Sequence, residues 1–233
     1  MNAISEQIRR CHIYPDTESL IAERATALGT IANASIAANG AFKIVLAGGR
    51  TPIKLYQQLV SLHTDWNRWV IYFGDERCLP RGDSERNDTM ARVAWLNHVT
   101  IPSAQIHAMP GELGPEAGAL AYLGPLKNAG KFDLVLLGLG EDGHTASLFP
   151  QYLLQDKIVA SDNATLAIHD APKPPPERIS LSPQRLSDSE RVWFLVTGAD
   201  KKTALKNWLD NQSLPAQLIT PKNGVDIFTD LKL

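Results

Sequence analysis

An aspartate and a histidine stand two residues apart in a glycine-rich stretch beyond the middle of the chain. Asp142, Gly143 and His144 come shortly after Gly138 and Gly140. Free imidazole titrates near ~6.5, so a histidine can move protons at neutral pH, and a neighbouring carboxylate can orient its ring. We therefore identify His144 as a candidate general base and Asp142 as its partner. A purely structural hydrogen bond between these two side chains is the alternative that the spacing leaves open.

The segment before this loop predicts where the loop lies. Phe132 to Leu137 is a near-continuous apolar run, which is typical of a strand buried on both faces of a parallel sheet. Glycines after such a strand allow tight turns, and ligands of open α/β sheets bind beyond the carboxyl ends of the strands. We expect Thr145 to Ser147 to begin a short helix, which Pro150 limits.

A glycine-rich turn also follows the predicted strand from Ala41 to Ala47. Pro52 is suited to open a helix there, with Thr51 as its N-cap. Free amides and the positive end of a helix dipole favour anions. The GxxxxGK[ST] spacing of a P-loop is absent, and a plain strand-to-helix turn is the alternative. The candidate phosphate-binding residues of this turn are Gly48, Gly49, Arg50 and Thr51.

Charged residues flank other predicted strands. Asp75 and Arg77 follow the strand from Trp66 to Gly74, Arg178 lies in a strand that starts near 177, and Lys201 follows the strand 191–196. Arg77 could pair with a phosphate through its planar guanidinium group. Asp75 is a candidate for proton transfer or for holding a histidine. A solvated turn with an Asp–Arg pair is the alternative for residues 74–77.

The order of the predicted elements indicates the fold class. Strands alternate with helices along most of the chain, which predicts an α/β, Rossmann-like fold with a mostly parallel sheet and helices on both faces. We expect one domain over residues 1–233, because the proline-rich stretch 171–176 is short enough to be a loop inside it. Other expected elements are a helix within 14–39, a helix over 115–126 and strands at 157–161 and 165–168.

Composition excludes several classes of function. The net charge of −2 gives no general preference for nucleic acid or an anionic membrane. Cys11 and Cys78 form no CxxC pair, so no zinc or redox motif is supported. No apolar run approaches the ~20 residues of a membrane span, and the first residues lack the apolar core of a signal peptide. We expect a soluble, cytoplasmic protein. Its oligomeric state stays open, with a monomer slightly favoured because no self-complementary apolar face is evident.

A dinucleotide-binding motif must also be considered. Residues 138–143 satisfy GxGxxG after a strand, and Asp162 lies near the distance expected for a ribose-binding acid. That fingerprint requires a sustained helix after the third glycine, and Pro150 interrupts it early. An acid and a histidine also crowd the loop where a pyrophosphate would lie. We therefore disfavour a dinucleotide site.

Five segments, taken in order, resemble the 6-phosphogluconolactonase family. The most specific is GLGEDGHTASLFP, and the resemblance extends from about residue 43 to 201. The related glucosamine-6-phosphate deaminases share a DGH loop, but they usually continue as DGHIAFNEP and carry DEY where this chain has DER. The resemblance therefore favours a lactonase, with the deaminase as the sister alternative. The five segments are Ala47–Pro52, Phe73–Arg77, Gly138–Pro150, Glu177–Ser180 and Val196–Lys201.

This resemblance implies a fold, a substrate and residue roles. The fold would be that of the deaminases, and the reaction would be hydrolysis of 6-phospho-D-glucono-1,5-lactone to 6-phosphogluconate in the oxidative pentose phosphate pathway. Because a lactone is an activated ester, no metal or cofactor is expected. His144 would activate water, and Asp142 would orient the His144 ring. Asp75 would join these two residues in the catalytic site. The phosphate would be held by residues 48–51 together with Arg77, Arg178 and Lys201.

Three positions depart from the family pattern. Serine is common in the family where Ala47 and Arg50 stand, so Arg50 would replace a hydroxyl contact with a charge or point away. The family's Ser-Asn pair after the DER segment is Arg86-Asn87 in this chain, and only Asn87 matches. A sugar-phosphate sensor without turnover is the non-enzymatic alternative. The intact Asp142-Gly143-His144 group opposes it, because binding alone does not require that group.

Overall fold

A computed structural model describes residues 7–153 and 163–232 of the 233-residue chain. The predicted strand at 157–161 lies outside the described residues. In chain order, the strands are β1 Arg9–Ile13, β2 Phe42–Leu46, β3 Trp69–Phe73, β4 Asp75–Arg77, β5 Leu134–Leu137, β6 Thr165–Ile168, β7 Arg178–Leu181, β8 Val192–Val196 and β9 Val225–Thr229.

Helices and short 3₁₀ turns connect these strands. The α-helices are α1 Thr17–Asn39, α2 Arg50–Leu59, α3 Asn87–Ala94, α4 Pro115–Lys127, α5 Pro150–Leu153, α6 Pro183–Ser187 and α7 Lys202–Leu209. Asp16 begins α1 by accepting a hydrogen bond from the Ser19 amide, and Gly40 ends it in the left-handed conformation. None of the helices in the described ranges has the length and apolar character needed to cross a bilayer.

Six parallel strands form the main sheet in the order β1-β9-β8-β5-β2-β3. Every residue of β5 and β8 is buried. Their unbroken apolar sequences therefore pack on both faces, as the sequence predicts for a sheet covered by helices. The predicted α/β class with a mostly parallel sheet is confirmed.

A second, three-stranded antiparallel sheet has the order β4-β7-β6. Gly74 joins it to the main sheet, because its amide donates to Leu46 O at 2.9 Å and its carbonyl accepts from the Leu181 amide at 2.8 Å. The alternative of a solvated turn at residues 74–77 is therefore wrong for Asp75–Arg77. These residues form β4, since β7 supplies backbone partners that local sequence does not reveal.

Two helix starts differ from expectation. Helix α2 begins at Arg50 with Gly49 as its N-cap, so the prediction of Thr51 as N-cap is wrong. Gly49 has φ +106°, a conformation that glycine adopts without strain. Residues 145–147 do not begin a helix either. Thr145 and Leu148 instead exchange backbone hydrogen bonds across a two-residue turn, and α5 begins at Pro150.

Candidate active site

A cleft of about 280 Å³ opens at the carboxyl ends of the central parallel strands, beside the small sheet. It brings together every residue predicted for the site except Asp142, which contacts the cleft residue His144 through a hydrogen bond. The predicted residues that line it are Gly48, Gly49, Arg50, Thr51, Asp75, Arg77, His144, Arg178 and Lys201.

Asp142 and His144 form a hydrogen-bonded pair. Oδ1 of Asp142 lies 2.5 Å from Nδ1 of His144, and the His144 ring packs on Phe149 with 4.7 Å between ring centroids. Burial alone would raise the pKa of Asp142. The hydrogen bond and charge of His144 outweigh burial and lower this pKa to about 2. With Nδ1 bonded to a carboxylate, the ring holds its proton there and leaves Nε2 as the acceptor. Nε2 has no hydrogen-bond partner among the described residues.

Gly140 is the residue that lets this pair form. A Cβ at position 140 would lie 2.1 Å from His144 Nδ1 and 2.4 Å from Asp142 Oδ1. Real Cβ atoms do not approach other atoms so closely, so the pair requires glycine at this position. The Gly140 amide also donates to the His144 carbonyl at 2.7 Å, which closes the loop. This second glycine of the GxGxxG pattern therefore makes room for two side chains of the chain itself.

The turn after His144 contains strained backbone. Ala146 lines the cleft and has φ +47°, which is unusual for a residue with a Cβ. Thr145 and Leu148 flank it with backbone hydrogen bonds of 3.2 and 2.9 Å. Such strain persists where the surroundings enforce it, and it concentrates at functional sites.

The start of α2 forms the opposite side of the cleft. A Cβ on Gly48 would lie 2.1 Å from Oδ1 of Asn87, so glycine here allows the amide side chain to pack against the turn. Among the residues that the structure describes, no side chain caps the first amides of α2. These amides and the helix dipole make this end of α2 suited to an anion. The Thr51 hydroxyl lies 2.6 Å from the Thr197 hydroxyl.

Two cationic side chains stand near this turn, and both approach Asp200. Arg50 is 87% exposed and lies 3.7 Å from the Asp200 carboxylate, so it extends from the cleft rather than into it. Lys201 is less exposed, and its Nζ lies 3.3 Å from the same carboxylate oxygen. Lys201 is therefore better placed than Arg50 to contribute charge inside the cleft.

Arg77 and Arg178 lie directly opposite each other on β4 and β7. Burial lowers the pKa of Arg178, as does the charge of Arg77, whereas the charge of Asp75 raises it. Like charges opposite each other in a sheet are destabilising. Both arginines line the cleft, so a bound anion would relieve their repulsion.

Asp75 is buried between two polar side chains. Its Oδ2 accepts from the Ser147 hydroxyl at 2.6 Å, and its Oδ1 accepts from Nδ2 of Asn87 at 3.1 Å. Its carboxylate therefore ties the small sheet to the His144 loop and to the start of α3. Asp142, and not Asp75, holds the histidine.

Sequence comparison identifies the family. The profile described as "Glucosamine-6-phosphate isomerases/6-phosphogluconolactonase" matches residues 15–228. The chain belongs to this family. The family resemblance inferred from the five sequence segments is thereby confirmed.

Relatives within the glucosamine-6-phosphate isomerase/6-phosphogluconolactonase family support the match over nearly the whole chain. A 6-phosphogluconolactonase of Mycobacterium tuberculosis is 39% identical, with 88% of each chain covered. One from Streptomyces coelicolor is 36% identical, covering 83% of this chain and 80% of the relative. The crystal structure of a 6-phosphogluconolactonase from Thermotoga maritima superposes with a TM-score of 0.87 at 26% identity, covering 95% of this chain and 99% of the other.

Residues to which the sequence analysis gave no role also support the cleft. Glu76 is fully buried, and its carboxylate accepts from the amides of Asn87 at 2.7 Å and Asp88 at 2.9 Å. Burial raises its pKa to about 7, although those hydrogen bonds and the Arg86 charge oppose the rise. Glu76 thus caps α3 from another strand and fixes Asn87. The glutamate of the DER segment carries no local signal for this role.

Arg86 supports the site from outside the cleft. Its buried guanidinium donates to Asp88 at 2.7 Å and to Glu112 at 3.1 Å. It also donates to the carbonyls of Leu79 and Met109. Arg86 therefore anchors the start of α3 and does not line the cleft. Within residues 7–153 and 163–232, no three His, Cys, Asp or Glu side chains are grouped to hold a metal ion.

Proposed function

We propose that this protein hydrolyses 6-phospho-D-glucono-1,5-lactone to 6-phosphogluconate, in the cytoplasm and without a metal ion. The observation that carries the proposal is that the His144–Asp142 pair and a helix start suited to an anion meet at one cleft. The His144–Asp142 pair suits ester hydrolysis, and the start of α2 suits the phosphate of a sugar phosphate. The names of the relatives point to the same reaction.

His144 is the general base in this proposal. Its Nε2 removes a proton from water as the water oxygen bonds to the lactone carbonyl carbon, and Asp142 stabilises the resulting imidazolium ion. Backbone amides of the glycine loop stabilise the oxyanion. The bond between the carbonyl carbon and the ring oxygen then breaks, and His144 returns its proton to that oxygen. The new carboxylic acid ionises in water.

The phosphate determines where the lactone ring lies. The uncapped amides at the start of α2 bind it, the Thr51 hydroxyl contacts it, and Arg77, Arg178 and Lys201 supply charge. Binding energy from this group positions the carbonyl carbon beside His144. Gluconolactone without phosphate should therefore be opened with a lower kcat/KM. Equal rates on both lactones would contradict this placement of the phosphate.

A coupled assay tests the function. Glucose-6-phosphate dehydrogenase generates the lactone, and proton release is followed with and without the protein, with spontaneous opening subtracted. The same preparation is assayed for ammonia release from glucosamine 6-phosphate. Faster lactone opening without ammonia supports the proposal. Ammonia release alone would move the protein to the deaminase branch, and neither activity from a folded protein that binds sugar phosphates would favour a sensor.

A further inference from the structure

Lys173 reaches the catalytic pair from the proline-rich loop 171–176. Its Nζ lies 2.9 Å from Oε1 of Glu141 and 3.9 Å from Oδ1 of Asp142. That Asp142 oxygen is the one that holds Nδ1 of His144. One carboxylate oxygen therefore lies near both a histidine nitrogen and an ammonium group.

The loop that carries Lys173 is fixed by Arg178. The buried guanidinium donates from Nε to Pro175 O at 3.0 Å and from Nη2 to Lys173 O at 2.9 Å. The Ala171 amide closes the loop by donating to Pro176 O at 3.0 Å. Prolines restrict the backbone further, since their φ is fixed. Lys173 thus extends from a held backbone, although its side chain is 37% exposed.

The charges around Asp142 act in opposite directions. The Lys173 cation offsets part of the attraction between the Asp142 carboxylate and protonated His144. The negative charge of Glu141 in turn offsets the charge of Lys173. Burial raises the pKa of Asp142, the His144 contacts lower it, and the Lys173 charge lowers it further. The hydrogen bond from Lys173 is the main cause of the lowered pKa of Glu141. These three groups therefore form one coupled system with His144.

We propose that Lys173 is a positioning residue that acts on His144 through Asp142. With Lys173 present, His144 stays free of a proton, and can act as a base, at a lower pH than it would with Asp142 alone. Its consequence for catalysis rests on the proposed function, but the electrostatic effect does not. Other charged groups line the cleft or form ion pairs at its edge, and they stay constant when only Lys173 or Glu141 is changed. They are Arg50, Asp75, Arg77, Arg178, Asp200 and Lys201.

The test is an NMR titration of the His144 ring in the full chain, with the signal assigned by its loss in His144→Asn. In Lys173→Gln the titration midpoint should rise by about half a pH unit, the size expected for one partly exposed charge at short range. In Glu141→Gln it should fall, because Lys173 is then left to Asp142. Lys173→Arg keeps the charge and should titrate like the wild type. About 0.5 M salt should shrink the differences.

Equal midpoints in wild type, Lys173→Gln and Glu141→Gln would overturn the proposal. A Lys173→Gln protein that only melts earlier, with an unmoved midpoint, would also overturn it, since Lys173 would then serve loop stability alone. The acid limb of kcat/KM against pH should move with the midpoints. If the wild type opens no lactone, the proposed function fails, yet the NMR midpoints still decide the role of Lys173.

Discussion

Replacing Gly140 by alanine should misplace the catalytic pair without unfolding the protein. The new Cβ would lie 2.1 Å from His144 Nδ1 and 2.3 Å from its Cε1. Non-bonded carbon and nitrogen atoms require roughly 3.5 Å, so the ring must move by more than about 1 Å. A misplacement of that size can cost about 10²-fold in rate. Because Gly140 does not have a positive φ, alanine adds no backbone strain there.

The measurement is kcat/KM for Gly140→Ala, together with its melting temperature and its affinity for inorganic phosphate. We expect kcat/KM to fall by about 10²-fold while phosphate affinity stays near that of the wild type. Gly138→Ala is the matched control for the position of the His144 ring, because among the described residues a Cβ there meets no atom beyond its chain neighbours within 4 Å. Its His144 NMR signals should coincide with those of the wild type. Full activity in Gly140→Ala, or His144 signals displaced equally in both variants, would refute the reasoning.

Other variants test the remaining contacts. His144→Ala should lose about 10²–10⁴-fold in rate while staying folded, and near-normal turnover would remove it as the base. Asp142 has its pKa lowered to about 2, so its ionised form stabilises the fold above its ordinary pKa and this contribution is lost as pH falls towards 2. The urea midpoints of wild type and Asp142→Asn should therefore converge at low pH, and a constant gap would contradict this. Ser147→Ala leaves buried Asp75 short of a donor and should cost about 1–3 kcal/mol in urea unfolding, against about 0.5 or less for exposed Ser61→Ala.

The strands of the main sheet that the sequence predicts are those with continuous apolar runs. Strands β2, β3, β5 and β8 lie where the buried runs indicate, because a strand packed on both faces needs apolar residues throughout. Strand β1 was not predicted, since RRCHI is largely polar and sits at the sheet edge with one neighbour, β9. Strand β9 was also missed. Its place comes from pairing with β1 and β8, which are far away in the sequence.

The candidate site also contains residues that the sequence could predict and residues that it could not. Sequence placed His144, Asp142 and the glycine turn near one another, because motifs at strand ends converge on one edge of a sheet. It could not place Glu76 under α3 or Ser147 on Asp75, since those contacts join segments through the small sheet. Ala146 gave no signal of its left-handed backbone, because that conformation is enforced by the turn and not by the residue type.

The permanent charge of Asp142 bears on how a reaction cycle would end. With a pKa of about 2, this carboxylate stays ionised near neutral pH. Lactone opening would convert a neutral ester into a carboxylate beside the His144–Asp142 pair. The product would thus be more anionic than the substrate at its reacting end, and Asp142 would repel it while the cations at the far end still hold the phosphate. Turnover would then be driven forward by charge created in the reaction itself, with departure beginning at the newly formed acid.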